Sequence, residues 1–380
     1  EVLLSDSIAL VTGTRVGLVS NQGGVDAAGV HDVERLRAAG INLVALFSPE
    51  HGFRGTAPPG ESVASTTDSA TGLPIYSLYG RTASPTAEML NGLDAILIDL
   101  PDVGARYFTY LGTTINVMRE AARHDIHVIV LDRPNPIGGA VQGNVLDTAF
   151  RSFVGSLAVP MRHGLTLGEL ALLARSDLHL STELTVVPVQ GWERSEALDE
   201  TGLPFIRPSP NLATLESLFH YPGLCLFEGT NLSVGRGSNA PFEQIGSPWL
   251  DTASVLSDMR EANIPGVAFE SVTFTPHAPG DGKYADTLLA GIRLGVTDRE
   301  TYDPTVTAIH LLAAVIARHG ENAPGGRRFE WLPSFTRLAG TDELQRSLES
   351  GASPAEATAG WDAARRQFLE RSEDVLLYLR

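Results

Sequence analysis

The stretch Leu43-Val44-Ala45-Leu46-Phe47-Ser48-Pro49-Glu50-His51-Gly52 decides the fold. Its unbroken apolar run suits a β-strand covered on both faces, as in a parallel sheet lying between layers of helices. A loop opens at once behind it, stiffened by Pro49 and Gly52 and carrying two ionisable side chains. Similar apolar runs stand around it at residues 16–20, 74–78, 95–100 and 127–131, with helical spacing between them at 31–39, 85–91 and 113–124. This βαβ rhythm, with short connections, predicts an α/β fold built on a Rossmann-like, doubly wound parallel sheet. A further unit is expected beyond it. Thr166-Leu167-Gly168-Glu169 has the capping-box spacing ahead of a helix at 170–175, and a strand is expected next at 184–189.

From about Gly191 the rhythm is lost. A proline-rich segment (203–210) leads into a helix near 212–219, then a long glycine- and asparagine-rich stretch from 228 to 246. Strands are expected at 267–275 and 288–296, and helices over the last sixty residues. We therefore expect a Rossmann-like domain over residues 1–190 and a smaller α+β domain over 191–380, with the active-site cleft between them. No internal repeat or heptad run points to a solenoid or coiled coil.

Composition narrows the function. A formal net charge of −17, with no basic cluster, excludes nucleic acid as the expected partner. No run of about 18 apolar residues could form a transmembrane helix. Cys225 is the sole cysteine, so no internal disulfide can form, and its apolar neighbours mark it as a small buried hydrophobe. Lys283 is the sole lysine among 28 lysines and arginines, a bias of the kind genomic base composition produces. The chain begins at Glu1 without a methionine, consistent with a removed leader and a secreted or periplasmic location.

Ligands of open α/β sheets bind at the carboxyl ends of the strands. The residues just beyond each apolar run are therefore informative: Asn21-Gln22-Gly23-Gly24, Ser48 through Gly55, Asp99 through Tyr107, and Asp132 through Gly139. Charged and polar residues fixed by Pro and Gly recur at these ends. It is not a nucleotide site, because neither G-x-G-x-x-G after the first strand nor G-x-x-x-x-G-K-[ST] is present. No G-x-S-x-G elbow supports a serine nucleophile. Glu50, His51, Asp99, Asp102 and Asp132 could converge on a metal, but no H-E-x-x-H-type spacing occurs and arginines recur among them. Neither a metal nor a cofactor is expected.

Glycoside hydrolysis fits the residue types better, since it needs a carboxylic acid and a second group acting as nucleophile or activating water. Glu50 can be the acid. His51 is read either as catalytic or as a structural donor to a loop carbonyl. The stretch from Glu228 to Glu243, an acid closing an expected apolar strand and then amides, hydroxyls and glycines, can wall a sugar site. Glu228 is the candidate second carboxylate, or else the simple ion-pair partner of Arg236.

At these loops the chain resembles the exo-β-N-acetylmuramidase (NamZ) family. The matching segments are Val16 through Gln22, Leu46 through Gly52, Asp102 through Arg106, Leu131 through Pro136 with Gly138-Gly139, and His163 through Thr166. They continue with Pro208 through Asn211, Glu228 through Asn231, Gly235 through Gly237, and Val296 through Arg299. Where the family often has Ser-Glu-Gly-Arg-Gly this chain has Val234, which removes a carboxylate. The resemblance implies release of N-acetylmuramic acid from the non-reducing end of peptidoglycan fragments, with the catalytic glutamate on the Rossmann-like domain. Catalysis is then expected at Glu50, His51 and Glu228. Substrate contacts are expected at Asn21, Asp102, Arg106, Arg133, Asn135, His163, Asn231, Arg236 and Glu243. One of Arg106, Arg133 and Arg236 is expected to take the sugar's lactyl carboxylate. Retaining, inverting and substrate-assisted mechanisms all stay open, Asn231 or Asp102 being able to orient an N-acetyl group in the last.

Overall fold

The computed structural model describes residues 1–58, 60–321, 326 and 328–379. The strands of the first half are β1 (Arg15–Ser20), β2 (Asn42–Ser48), β3 (Thr66–Thr67), β4 (Pro74–Ser77), β5 (Ala95–Asp99) and β6 (His127–Leu131). They continue with β7 (Gln142–Val145), β8 (Pro160–Arg162) and β9 (Leu184–Val187). Seven of them form one sheet in the order β3-β4-β2-β1-β5-β6-β9. Every pairing is parallel except that of the two-residue edge strand β3 with β4. All five residues of β5 are buried, as the continuous apolar run requires. Helices Asp32–Ala38, Tyr110–Arg123 and Leu167–Asp177 connect these strands, and the last is entered through the Thr166–Glu169 capping box.

The chain runs outward from β1 to β2 on one side and returns to β5 on the other, so β1 marks a topological switch point. Val19 pairs with Phe47 on one side and Ile98 on the other, which brings all three strands to an end at one level. The loops beginning at Asn21, Pro49 and Leu100 thus leave side by side, with the loop after β6 next in line.

The second half departs from the sequence reading at the stretch before Glu228. Leu215–Leu224 is a helix containing Pro222, and Cys225–Gly229 is a 3₁₀ turn, so Glu228 closes a helical segment and not a strand. Fully buried apolar runs do not distinguish strand from helix by periodicity. Strands β10 (Gln244–Ser247), β11 (Val267–Phe274) and β12 (Leu289–Val296) make an antiparallel sheet in the order β10-β12-β11. Helices Thr252–Ala262 and Pro304–His319 accompany it. Of the last sixty residues, 322–325, 327 and 380 lie outside the described residues, and helices Phe335–Ala339, Glu343–Glu349, Pro354–Thr358 and Trp361–Ser372 occupy much of the rest. The largest apolar core passes without a break from Val19 and Phe47 through Tyr107 and Tyr221 to Phe335 and Trp361, joining both halves. No helix among the described residues is long and apolar enough to cross a membrane.

Candidate active site

Glu50 sits two residues beyond β2, and only 8% of it is exposed. Its Oε1 accepts the Gly60 N–H at 2.9 Å and its Oε2 accepts the Thr109 hydroxyl at 2.8 Å. Tyr79, just past β4, is pushed up to about 12 by burial and then by the neighbouring Glu50 carboxylate. Tyr110 lies within reach of the same charge. Burial first, and Glu50 second, raise that phenol, which accepts the Asn21 amide N–H at 2.7 Å. Two phenols and a threonine therefore surround one carboxylate, and each Glu50 oxygen keeps lone-pair capacity for a proton or ligand. Glu50 does not pair with Arg54, which reaches Asp68 instead at 3.3 Å.

His51 adopts φ +69°, a left-handed conformation that costs a non-glycine residue about 1–2 kcal/mol. Its Nδ1 meets the Ala57 carbonyl at 2.9 Å. A carbonyl only accepts, so Nδ1 carries the proton and Nε2 is left as an acceptor. The loop closes at Gly55 (φ +67°), where a Cβ would collide with the Gln22 side chain.

The other expected contact residues on the strand ends mostly brace the loops. Asn21 accepts the Gly23 N–H at 2.8 Å, and Asn135 joins Leu165 O to Ile137 N. Asp102 accepts from Gly104 N at 2.7 Å and holds the buried His163 at 3.2 Å, whose Nδ1 accepts from Leu165 N. Arg133 grips Asp99 with both Nε and a terminal nitrogen. Arg106 was expected in the cleft, but it is 3% exposed and donates to the carbonyls of Asn144, Val159, Leu338 and Ala339. Its charge ties the loop after β5 to the end of the helix Phe335–Ala339.

In the second half, Asn231 is spent on Arg328 O and Glu330 N, and Glu243 accepts from Thr214, the N-cap of helix Leu215–Leu224. Glu228 Oε1 accepts from Arg236 Nε at 2.6 Å, while its Oε2 has the Cys225 thiol at 3.6 Å. Burial pushes that thiol up, so it stays protonated. The Arg236 guanidinium lies 5.0 Å from the centre of the Phe242 ring. Its two terminal nitrogens have no protein partner among the described residues, whereas Arg106 uses both of its own and Arg133 one. No three His, Cys, Asp or Glu side chains among the described residues converge as a metal cage. A cavity of about 50 Å³ touches Gly23, Asp102 and Arg133, and one of about 780 Å³ lies beside Arg162, Phe219 and Arg299. Glu50 borders neither; its hydrogen bonds and tyrosines define its surroundings.

Two family models cover this arrangement: "Exo-beta-N-acetylmuramidase NamZ, N-terminal" over residues 16–216 and its C-terminal counterpart over 219–378. The chain belongs to the exo-β-N-acetylmuramidase NamZ family. The peptidoglycan β-N-acetylmuramidase NamZ of Bacillus subtilis (strain 168) is 38% identical over 382 residues, covering 100% of this chain and 90% of that protein. Two crystal structures of DUF1343 family proteins from Bacteroides fragilis NCTC 9343, each 32% identical, superpose with TM-scores of 0.90 and 0.79. The first covers 100% of this chain and 98% of its own, the second 99% and 98%. The two NamZ segments meet inside helix Leu215–Leu224, whose far end leads into the turn that carries Glu228. Sequence reasoning missed Tyr79, Thr109 and Tyr110. The signal for Tyr79 was available, because it too lies just past a strand of the sheet, and Thr109 and Tyr110 directly continue the loop that begins after β5.

Proposed function

We propose that this chain is an exo-acting β-N-acetylmuramidase, hydrolysing the glycosidic bond that holds N-acetylmuramic acid at the non-reducing end of peptidoglycan fragments. One observation carries the reading. A carboxyl group stands at the switch point of an α/β sheet, held by Gly60 N and Thr109 Oγ1 with a phenol beside it, in a chain whose family is named for this activity. Glu50 is the general acid that protonates the leaving oxygen. The His51 Nε2 is an acceptor suited to a sugar hydroxyl. Arg236 takes the lactyl carboxylate, because it alone of the three expected arginines keeps both terminal nitrogens uncommitted. Glu228 orients that arginine through Nε, as its ion-pair partner. Peptidoglycan lies outside the cytoplasmic membrane, so we place this work in the secreted or periplasmic space.

The test is incubation of the protein with the N-acetylmuramic acid–N-acetylglucosamine disaccharide, with chromatography of the products. Free N-acetylmuramic acid is expected, at a rate unchanged by a chelator. Recovery of intact disaccharide would leave a carbohydrate-binding protein, and loss of activity on chelation would point to a metal-dependent hydrolase.

A further inference from the structure

The loop between β11 and β12 grips the Glu228–Gly237 segment from outside. The Lys283 ammonium donates to three carbonyls, those of Phe227 at 3.3 Å, Glu228 at 3.2 Å and Leu232 at 2.9 Å. The Tyr284 hydroxyl donates to Asn231 O at 2.8 Å, and the His277 N–H donates to Gly237 O at 2.8 Å. Backbone on both sides of Arg236, and at Glu228 itself, is thus fixed by one loop. That loop carries three non-glycine residues at positive φ, namely Ala278, Tyr284 and Asp286. Strain of this kind persists only where surrounding contacts over-determine the conformation. Gly237 fits because a Cβ there would meet His277 O at 2.5 Å.

The identity of the central residue is informative. In a chain that uses arginine at every other such position, one lysine survives. Its site explains why. At the carboxyl end of the 3₁₀ turn Cys225–Gly229 the Phe227 carbonyl accepts the Thr230 N–H and still offers a lone pair to the ammonium, as does the Glu228 carbonyl beside it, and a cation suits that end. Three carbonyls converge on one nitrogen, a geometry that a tetrahedral ammonium meets and a planar guanidinium fork does not.

We propose that Lys283 is a positioning residue for substrate recognition: through the carbonyls of Phe227, Glu228 and Leu232 it fixes the turn that presents the Glu228–Arg236 pair to the sugar's carboxylate. This inference rests on the reading of Arg236 as the carboxylate-binding group. It makes arginine a poor substitute at position 283 despite its equal charge.

The experiment measures steady-state kinetics of the full chain on the disaccharide and on its lactyl methyl ester, which replaces the negative charge by a neutral group one methyl larger. For Lys283→Met, KM for the acid should rise about tenfold with kcat little changed, while the ester is unaffected. Lys283→Arg should not restore the lost binding. Tyr284→Phe, which removes a single hydrogen bond, should shift the acid's KM in the same direction by less. Added to Arg236→Ala, Lys283→Met should cause no further loss, because both act through one contact. Equal losses on acid and ester, or full rescue by Lys283→Arg, would overturn the inference. If Arg236→Ala leaves the preference for acid over ester intact, the reading of Arg236 itself fails. If Arg236→Ala removes that preference and Lys283→Met does not, only the role of Lys283 falls.

Discussion

A carboxyl group with two protein donors and two neighbouring phenols can hold, lose and regain a proton without moving. Glu50 has these neighbours, and glutamine tests what the proton contributes. In Glu50→Gln the amide oxygen still accepts the Gly60 N–H, and the Thr109 hydroxyl turns to accept from the new NH₂, so the loop keeps its shape. Only the transferable proton is lost. General acid catalysis contributes about 10²- to 10⁴-fold, so kcat for release of N-acetylmuramic acid should fall within that range, with KM changed little. Near-normal kcat would remove Glu50 from the mechanism. At this scale the sequence revealed which residues stand at the strand ends and not what they touch. Asn21, Asn135 and His163 were read as ligand contacts because polar residues on stiff loops usually are. They are buried and turned inward, because the same stiffness needs internal hydrogen bonds, and those partners (Tyr110, Leu165, Asp102) come from distant parts of the chain.

Elements were legible where one physical cause dominated. The strands of the first sheet announced themselves by unbroken apolar runs, and the helix Leu167–Asp177 by its capping box. The helical turn before Glu228 did not, since burial on all sides erases periodicity; β7 and β8 answer to no expectation, and β10 begins inside the glycine-rich stretch at 228–246. The capped helix also carries a pH-dependent load. Asp132 accepts from Thr166 Oγ1 at 2.6 Å, Gly168 N at 2.8 Å and Tyr378 Oη at 2.6 Å, anchoring helix start and C-terminal segment together. Burial, outweighing these donors, pushes its carboxyl from 3.8 up to about 6. Between those values the folded chain holds a proton that the unfolded chain has released. The stabilisation is therefore complete below about pH 4 and is lost as pH rises through 6, at most about 3 kcal/mol by neutrality. In Asp132→Asn that slope disappears. Its amide keeps an acceptor for Gly168 N and a donor for the hydroxyls. Melting temperatures of both proteins from pH 4 to 7.5 should show the wild type falling relative to the variant, and a constant difference would contradict the assignment.

Across the whole molecule the two halves differ in architecture but share one core, so cooperative behaviour should override the division that both the loss of the βαβ rhythm and the family models suggest. Arg106 is the clearest tie. Its guanidinium, buried and lowered by that burial, bridges the loop after β5 to the Leu338 and Ala339 carbonyls more than two hundred residues away. Such a cation braces tertiary structure, and its loss belongs in stability and not in sugar affinity. Arg106→Met keeps much of the apolar stem but takes the guanidinium from four carbonyls, of which Val159 O keeps the Leu146 N–H and Ala339 O the Asn144 amide, and this should cost about 3–5 kcal/mol. For a chain of this size unfolding in one step that lowers the melting temperature by roughly 4–6 °C. Because the apolar core is continuous, calorimetry of the wild type should show one transition, and in Arg106→Met that same single transition should move down intact. KM for the disaccharide, measured well below the new midpoint, should stay within about twofold of the wild type. Two resolved transitions in the wild type would mean that the halves unfold separately despite the shared core. A large rise in KM with an unmoved melting temperature would return Arg106 to the sugar site where the sequence first suggested it.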